Sequence, residues 1–304
     1  MEGEKRVFII YHRTDYDGIF SGNIARKFYD NNDYWIKLQG FNYGDELPDI
    51  DKIISTYDEI CMVDISFPND IMLKLRDSGK LFWIDHHIGV IKFSEEYGFS
   101  DIPGIRKDGI AACELCWNYF FATIPVPKVI SMLSAYDVWN HNLYDWNEEV
   151  LPLQYSLKAD YGLNINMIWR HWDYILDPDN IEDFINDGQY LLKYLKNTWK
   201  SWCTNYSFEV TVAGKYKGIC MISPWFGSSQ FDSVIDNYDL CVVVNRKGPD
   251  YYNVSIYKEE GKIPEFDCSD YASNVYKTGN GHANASGFVL NFEQFQRLVV
   301  NQEI

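Results

Sequence analysis

The run Phe82-Trp83-Ile84 ends in Asp85-His86-His87, an apolar stretch that stops at three consecutive side chains able to bind a metal. Two other apolar runs end in the same manner. Residues 6–12 close on His12, with Asp15 and Asp17 following at i+3 and i+5, and residues 59–64 close on Asp64. Imidazoles and carboxylates together are ligands for divalent cations, and this mixture favours manganese or a similar transition metal over magnesium, which prefers all-oxygen shells. Each residue alone has a plainer use. Asp15 or Asp17 caps a helix starting near Gly18, Asp64 serves a turn, and His12 or His86 is a satisfied structural histidine. Brought to one place they would concentrate negative charge at high cost unless cations sat among them.

The elements that carry these residues do bring them to one place. The three runs are short and apolar throughout, as expected of strands buried on both faces. Helix-like stretches at 18–30 and 68–80 separate them, the second opened by Pro68 and closed by Gly79. This alternation predicts a parallel sheet of β-α-β units, and in such sheets ligands bind outside the carboxyl ends of the strands. Further helices are expected over 111–122, 127–139 and 166–176, and a connecting helix over 181–204 with Gly188 as its weak point. Beyond it the chain becomes rich in strand candidates, at 207–214, 217–223, 239–245 and 251–258, with residues 246–250 as a hairpin turn between the last two.

The 304 residues suit two domains. A 46% hydrophobic and 17% aromatic content gives well-filled cores. A formal charge of −17 argues against a protein that holds long nucleic acid by neutralising phosphates. The polar start and the short apolar run after it predict neither a signal peptide nor a membrane span, so a cytoplasmic location is expected. Seven cysteines disfavour a disulfide framework, and Cys113 and Cys116 lie in an apolar helix-like stretch where buried thiols are expected.

The sequence His12-Arg13-Thr14-Asp15-Tyr16-Asp17 resembles the H-x-x-D-x-D first motif of the DHH phosphoesterase superfamily. Asp64 resembles its second motif, Asp85-His86-His87 its third, and Asp137 stands where a lone fourth-motif Asp is expected. Residues 279–287, with Gly279, Gly281 and His282, resemble the glycine-histidine signature of the DHH-associated C-terminal domain. Asn280 departs from that signature, and Tyr257 stands where relatives carry an arginine, for which Arg246 is a replacement cation.

The resemblance implies an α/β protein with a parallel-sheet DHH domain at 1–180, a helical linker at 181–204 and a smaller α+β substrate-binding domain at 205–304, with the site in the cleft between them. It implies two Mn²⁺ ions. One takes His12, Asp15 and Asp64, the other Asp17, Asp64, His86 and Asp137, with Asp64 bridging. Asp85 supports His86 or the strand end, His87 faces the substrate phosphate, and Arg246, Gly279, Gly281 and His282 bind substrate. The implied catalytic residues are Asp64, Asp85 and His87. Paired cations would lower the pKa of a shared water for in-line attack on phosphorus. The expected activity is hydrolysis of short oligoribonucleotides or a nucleoside 3′,5′-bisphosphate. Cyclic dinucleotide hydrolysis is the near alternative, with pyrophosphatase, exopolyphosphatase or a catalytically silent nucleotide sensor ranked lower. A homo-oligomer is compatible with the sequence. Trp225, Phe226, Tyr251 and Tyr252 are candidates for stacking on a base.

Overall fold

The structure, a computed structural model, describes residues 4–224, 226–259, 261–277 and 280–304, the side chains at 90, 93 and 280–282 excepted. The chain divides into two compact units, Met1–Leu192 and Lys193–Ile304.

The first unit is built on strands β1 (Arg6–His12), β2 (Trp35–Phe41), β3 (Glu59–Val63) and β4 (Leu81–Ile84), all parallel, in the order β2-β1-β3-β4. Helices α1 (Tyr16–Asp30), α2 (Ile50–Thr56) and α3 (Asn69–Asp77) connect them, and α4 (Ile88–Glu96), α5 (Ala112–Phe120), α6 (Lys128–Asp137), α7 (Leu151–Asp160), α8 (Ile165–Arg170) and α9 (Trp172–Leu176) follow. Successive strand side chains point to opposite faces. Val7, Ile9 and Tyr11 therefore enter a core shared with Ile19 and Phe20 of α1, Cys113 and Cys116 of α5 and Met132 of α6. Phe8 and Ile10 enter the opposite core with Ile50 and Ile53 of α2 and Met72 of α3. Burial on both faces explains the unbroken apolar runs. Strand β2, at the sheet's edge, alternates exposed and partly buried residues and had no such signal.

Two glycines fix the packing. A Cβ on Gly18 would lie 2.0 Å from the His12 carbonyl oxygen, so α1 can begin directly against the end of β1 only with glycine there. Gly188 corrects an expectation. Helix α10 (Ile181–Tyr206) runs through it without a break, and a Cβ there would lie 1.9 Å from the Pro152 carbonyl oxygen. It is a point of close approach to α7. The two-unit division falls inside α10, within the segment expected as a linker.

The second unit carries β5 (Phe208–Val212), β6 (Tyr216–Ile222), β7 (Leu240–Arg246), β8 (Tyr251–Tyr257), β9 (Asn280–His282) and β10 (Ala285–Asn291) in the order β5-β6-β7-β8-β10-β9. Its pairings are antiparallel except β6 with β7, making a mixed sheet. Helices α11 (Cys268–Val275) and α12 (Phe292–Asn301) supply residues to its core, including Ala272 and Leu298. Residues 246–250 form the turn between β7 and β8. All seven cysteines are free and buried, Cys113 and Cys116 included. Among the described residues no helix is long and apolar enough to cross a membrane.

Candidate metal centre

His12 ends β1, Asp64 follows β3 and Asp85 follows β4, so the parallel register delivers all three to the same edge of the sheet. Asp15 and Asp17 arrive from the start of α1, and Asp137 from the last turn of α6. Three triads have ligand atoms within 4.8 Å of one another: His12, Asp15 and Asp64 form one, Asp17, His86 and Asp137 a second, and Asp64, His86 and His87 a third that shares a residue with each of the others.

Asp64 stands between the first two. Its Oδ2 lies 3.5 Å from His12 Nδ1 and its Oδ1 lies 3.4 Å from His86 Nε2. The residue adopts φ of +58°, a left-handed conformation that an Asp tolerates at a cost of about 1–2 kcal/mol. That strain aims one carboxylate at both triads, and Asp64 is 1% exposed.

The neighbouring groups are equally specific. His12 Nε2 lies 3.1 Å from Asn42 Oδ1, an atom that also accepts the Tyr43 backbone N–H at 2.9 Å and so behaves as the oxygen. Nε2 therefore carries the proton, with Thr14 Oγ1 2.7 Å away, and Nδ1 faces Asp15 and Asp64. His12 Nδ1 is 2.8 Å from Asp15 Oδ2. Asp15 Oδ1 accepts the Gly18 N–H at 2.9 Å, so it caps α1 with one oxygen and turns the other to His12. The capping reading therefore describes one oxygen and leaves the other beside His12.

Asp17 has a double duty that the sequence did not reveal. Its two oxygens accept the backbone N–H groups of Ala112 and Cys113 at 2.9 and 2.6 Å, at the start of α5, while Oδ2 lies 3.3 Å from His86 Nε2. The same nitrogen is 3.3 Å from Asp137 Oδ2. Three carboxylates thus crowd one imidazole nitrogen.

Asp85 acts mainly on its neighbour's ring. Its Oδ1 accepts the backbone N–H groups of His86 and His87 at 2.8 and 3.0 Å and pairs with His87 Nδ1 at 2.8 Å. The expected support of the strand end is present. The imidazole it orients is that of His87, whose side chain is 40% exposed and the outermost of the three histidines.

The crowded carboxylates raise the affinity of this cluster for protons. Burial disfavours a charged His12, but hydrogen bonds and charges from Asp15 and Asp64 overcome it and push the imidazole up to about 10. His86 is likewise opposed by burial and pushed up to about 9 by Asp64, Asp17 and Asp137. Burial, then repulsion from Asp17, raises Asp137 to about 7. Asp17 is held well above the carboxylate range by burial and by Asp64. Asp64 Oδ1 and Asp85 Oδ2 are buried with no hydrogen-bond partner among the described residues. The donor set, the orphaned oxygen and the tautomer of His12 all fit divalent cations.

The remaining expected residues are placed differently. Arg246 donates to the carbonyls of Gly248 and Pro249 at 2.9 and 3.4 Å, tying its own hairpin turn. Gly279 lies outside the described residues, as does Trp225. Gly281 and His282 belong to β9, with their side chains outside the description. Phe226 and Tyr252 are core residues: Phe226 stacks on Trp202 at 6.0 Å and Tyr252 on Phe295 at 3.9 Å. Tyr251 is exposed.

No family model matches the chain. Uncharacterized protein R106 of Acanthamoeba polyphaga mimivirus is 23% identical over 259 residues, covering 83% of this chain and 56% of that protein. The chain thus spans about half the length of the curated relative it matches. Among solved structures, a DHH domain described as a member of a family of ribosomal proteins aligns with a TM-score of 0.62 and 14% identity over 98% of this chain and 85% of that one. A pGpG-specific phosphodiesterase from Vibrio cholerae aligns at 0.54 and 12% identity, over 97% and 96% of the two chains. The exonuclease RecJ bound to manganese aligns at 0.51 and 12% identity, over 97% and 88%. At such identities the likeness is one of architecture: the chain has the fold of DHH-domain proteins.

Proposed function

From this fold we propose that the chain is a two-metal phosphoesterase, with manganese as its metal, that hydrolyses the diester linkages of short oligoribonucleotides or a phosphate monoester of a nucleoside 3′,5′-bisphosphate. The observation that carries the reading is Asp64, one of whose oxygens faces His12 and the other His86. His12, Asp15 and Asp64 would hold one ion, and Asp17, Asp64, His86 and Asp137 the other. Bound there, the pair supplies Lewis-acid charge that acidifies water and stabilises a phosphoryl group in displacement.

The protein's own groups do the rest. Asn42 and Asp85 fix the tautomers of His12 and His87, Asp17 is held by the start of α5, and the His87 side chain is 40% exposed. With Nδ1–H donated to Asp85, the His87 Nε2 contacts a substrate phosphate oxygen when the ring is protonated, a state that the Asp85 pairing favours by raising the imidazole's pKa. The names of two structural neighbours, a pGpG-specific phosphodiesterase and a manganese-bound exonuclease, support the substrate class and the metal.

The test is one preparation assayed with dinucleotides, cyclic dinucleotides, a 3′,5′-bisphosphate and pyrophosphate, in Mn²⁺, Mg²⁺ and EDTA. Nucleoside monophosphate release from the linear dinucleotides in Mn²⁺, and none in EDTA, is expected. Preferential cleavage of the cyclic compounds would move the assignment to that alternative, and rapid phosphate release from pyrophosphate alone would overturn the diesterase reading.

A further inference from the structure

Helix α6 delivers Asp137 to the metal centre and then stops in an unusual way. The Asn140 N–H reaches the Ala135 carbonyl at 2.8 Å and the Trp139 N–H reaches Tyr136 at 3.3 Å, a Schellman closure that puts Trp139 at the left-handed position normally given to glycine. Its φ is +53°, a costly conformation for a bulky side chain. The ring this displays is 66% exposed. It joins a near-parallel aromatic group centred on Trp146. Trp139 lies 5.4 Å from the Trp146 ring at 23°, His141 3.9 Å at 12° and Tyr136 5.5 Å at 6°. Tyr136 also lines a cavity of about 200 Å³ whose other walls include Asp15, Asp17 and Asp137. The aromatic group is therefore continuous, through one cavity, with three of the candidate metal ligands.

We propose that this aromatic group is a platform on which an unpaired nucleobase of the substrate stacks, seating the adjoining phosphate at the metal centre. The proposal rests on the diesterase reading and narrows it to substrates that carry bases. A flat π-face accepts any base, so the platform gives affinity without sequence preference. In a chain with a formal net charge of −17, stacking is a source of affinity that phosphate neutralisation does not provide.

The experiment compares the wild-type chain with Trp139→Gly, Trp139→Phe and His141→Ala. Binding is measured in EDTA with a methylphosphonate-linked dinucleotide, uncharged at the linkage and resistant to cleavage, and with its abasic counterpart. The wild type should prefer the compound with bases, and Trp139→Gly and His141→Ala should weaken that preference by about 5- to 100-fold. Trp139→Phe should keep most of it. Because glycine suits the left-handed position, Trp139→Gly should keep or raise Tm. Equal binding by all variants, no binding by the wild type, or a sharp fall in Tm for Trp139→Gly would overturn the platform. So would a wild-type dimer that Trp139→Gly dissociates, since the face would then belong to a second copy. A wild type that binds the probe but cleaves nothing refutes the reaction and leaves the platform standing. A Trp139→Gly variant with unchanged KM for a cleaved dinucleotide does the reverse.

Discussion

Asp17 Oδ1 accepts the backbone N–H of Cys113 at 2.6 Å, so a residue on the first turn of α1 caps the start of α5 from across the core. Its other oxygen accepts Ala112 N–H and faces His86. Asp17 is thus a structural cap and a candidate ligand at once. Asp17→Ala leaves two buried N–H groups without acceptors, at about 1–3 kcal/mol each, which outweighs the relief of its repulsion with Asp64. Thermal unfolding in EDTA should show a lower Tm for Asp17→Ala, and Mn²⁺ should no longer raise it. Asp137→Ala removes a carboxylate whose ionisation is already resisted, and should keep the metal-free Tm while losing the Mn²⁺ response. Equal metal-free Tm for the two variants would refute the capping role.

At the proposed metal centre, proton and metal would compete. His12 is pushed up to about 10 and His86 to about 9, against an ordinary 6.5, and Asp137 to about 7, against 3.8. In each case the folded, metal-free chain binds the proton more tightly than the unfolded chain. The imidazole contribution to stability is therefore fully present below about pH 6.5 and lost as pH rises through 9 to 10. That of Asp137 is lost between about pH 4 and 7. Metal-free Tm should fall from pH 6.5 to 9, while Mn²⁺ affinity rises over the same range. Calorimetry in two buffers of different ionisation enthalpy should register protons released on binding. A pH-independent affinity would count against these ligands.

Asn42 fixes which nitrogen of His12 faces the carboxylates. Asn42→Leu removes the acceptor for Nε2–H without touching a candidate ligand. A loss of about 10- to 100-fold in Mn²⁺ affinity is expected, read by titration, with Asn42→Asp recovering most of it because a carboxylate still accepts. Unchanged affinity in Asn42→Leu would show that Thr14 alone suffices.

The fates of these residues show what the sequence could carry. His12, Asp64 and Asp85 were legible because strands buried on both faces leave unbroken apolar runs, and the residue that ends such a run stands out. Asn42 follows Phe41, the last residue of β2, and obeys the same rule. It was missed because β2 is an edge strand whose Lys37 and Gln39 interrupt the apolar signal. The second role of Asp17 was hidden because its partners lie 95 and 96 residues away in sequence. Helix 166–176 was expected as one piece, but His171 leaves the helical conformation at ψ of +18° and divides α8 from α9. Aromatic side chains were the least legible. Composition marks Phe226 and Tyr252 as much as Trp139, and only tertiary packing buries the first two and exposes the third.

Asp64 separates strain from function. Its left-handed backbone is what glycine adopts freely, so Asp64→Gly should relieve about 1–2 kcal/mol that Asp64→Ala retains. Both variants delete the carboxylate that faces the two triads, and turnover with Mn²⁺ should vanish in both, because neither His12 with Asp15 nor His86 with Asp17 and Asp137 is then joined to the other group. Denaturation in EDTA should rank Asp64→Gly above Asp64→Ala in stability, while the two share the same loss of activity. Residual activity in either variant within about tenfold of the wild type would remove Asp64 from the centre of the proposed mechanism, since the two ions it would share could not both be held without it.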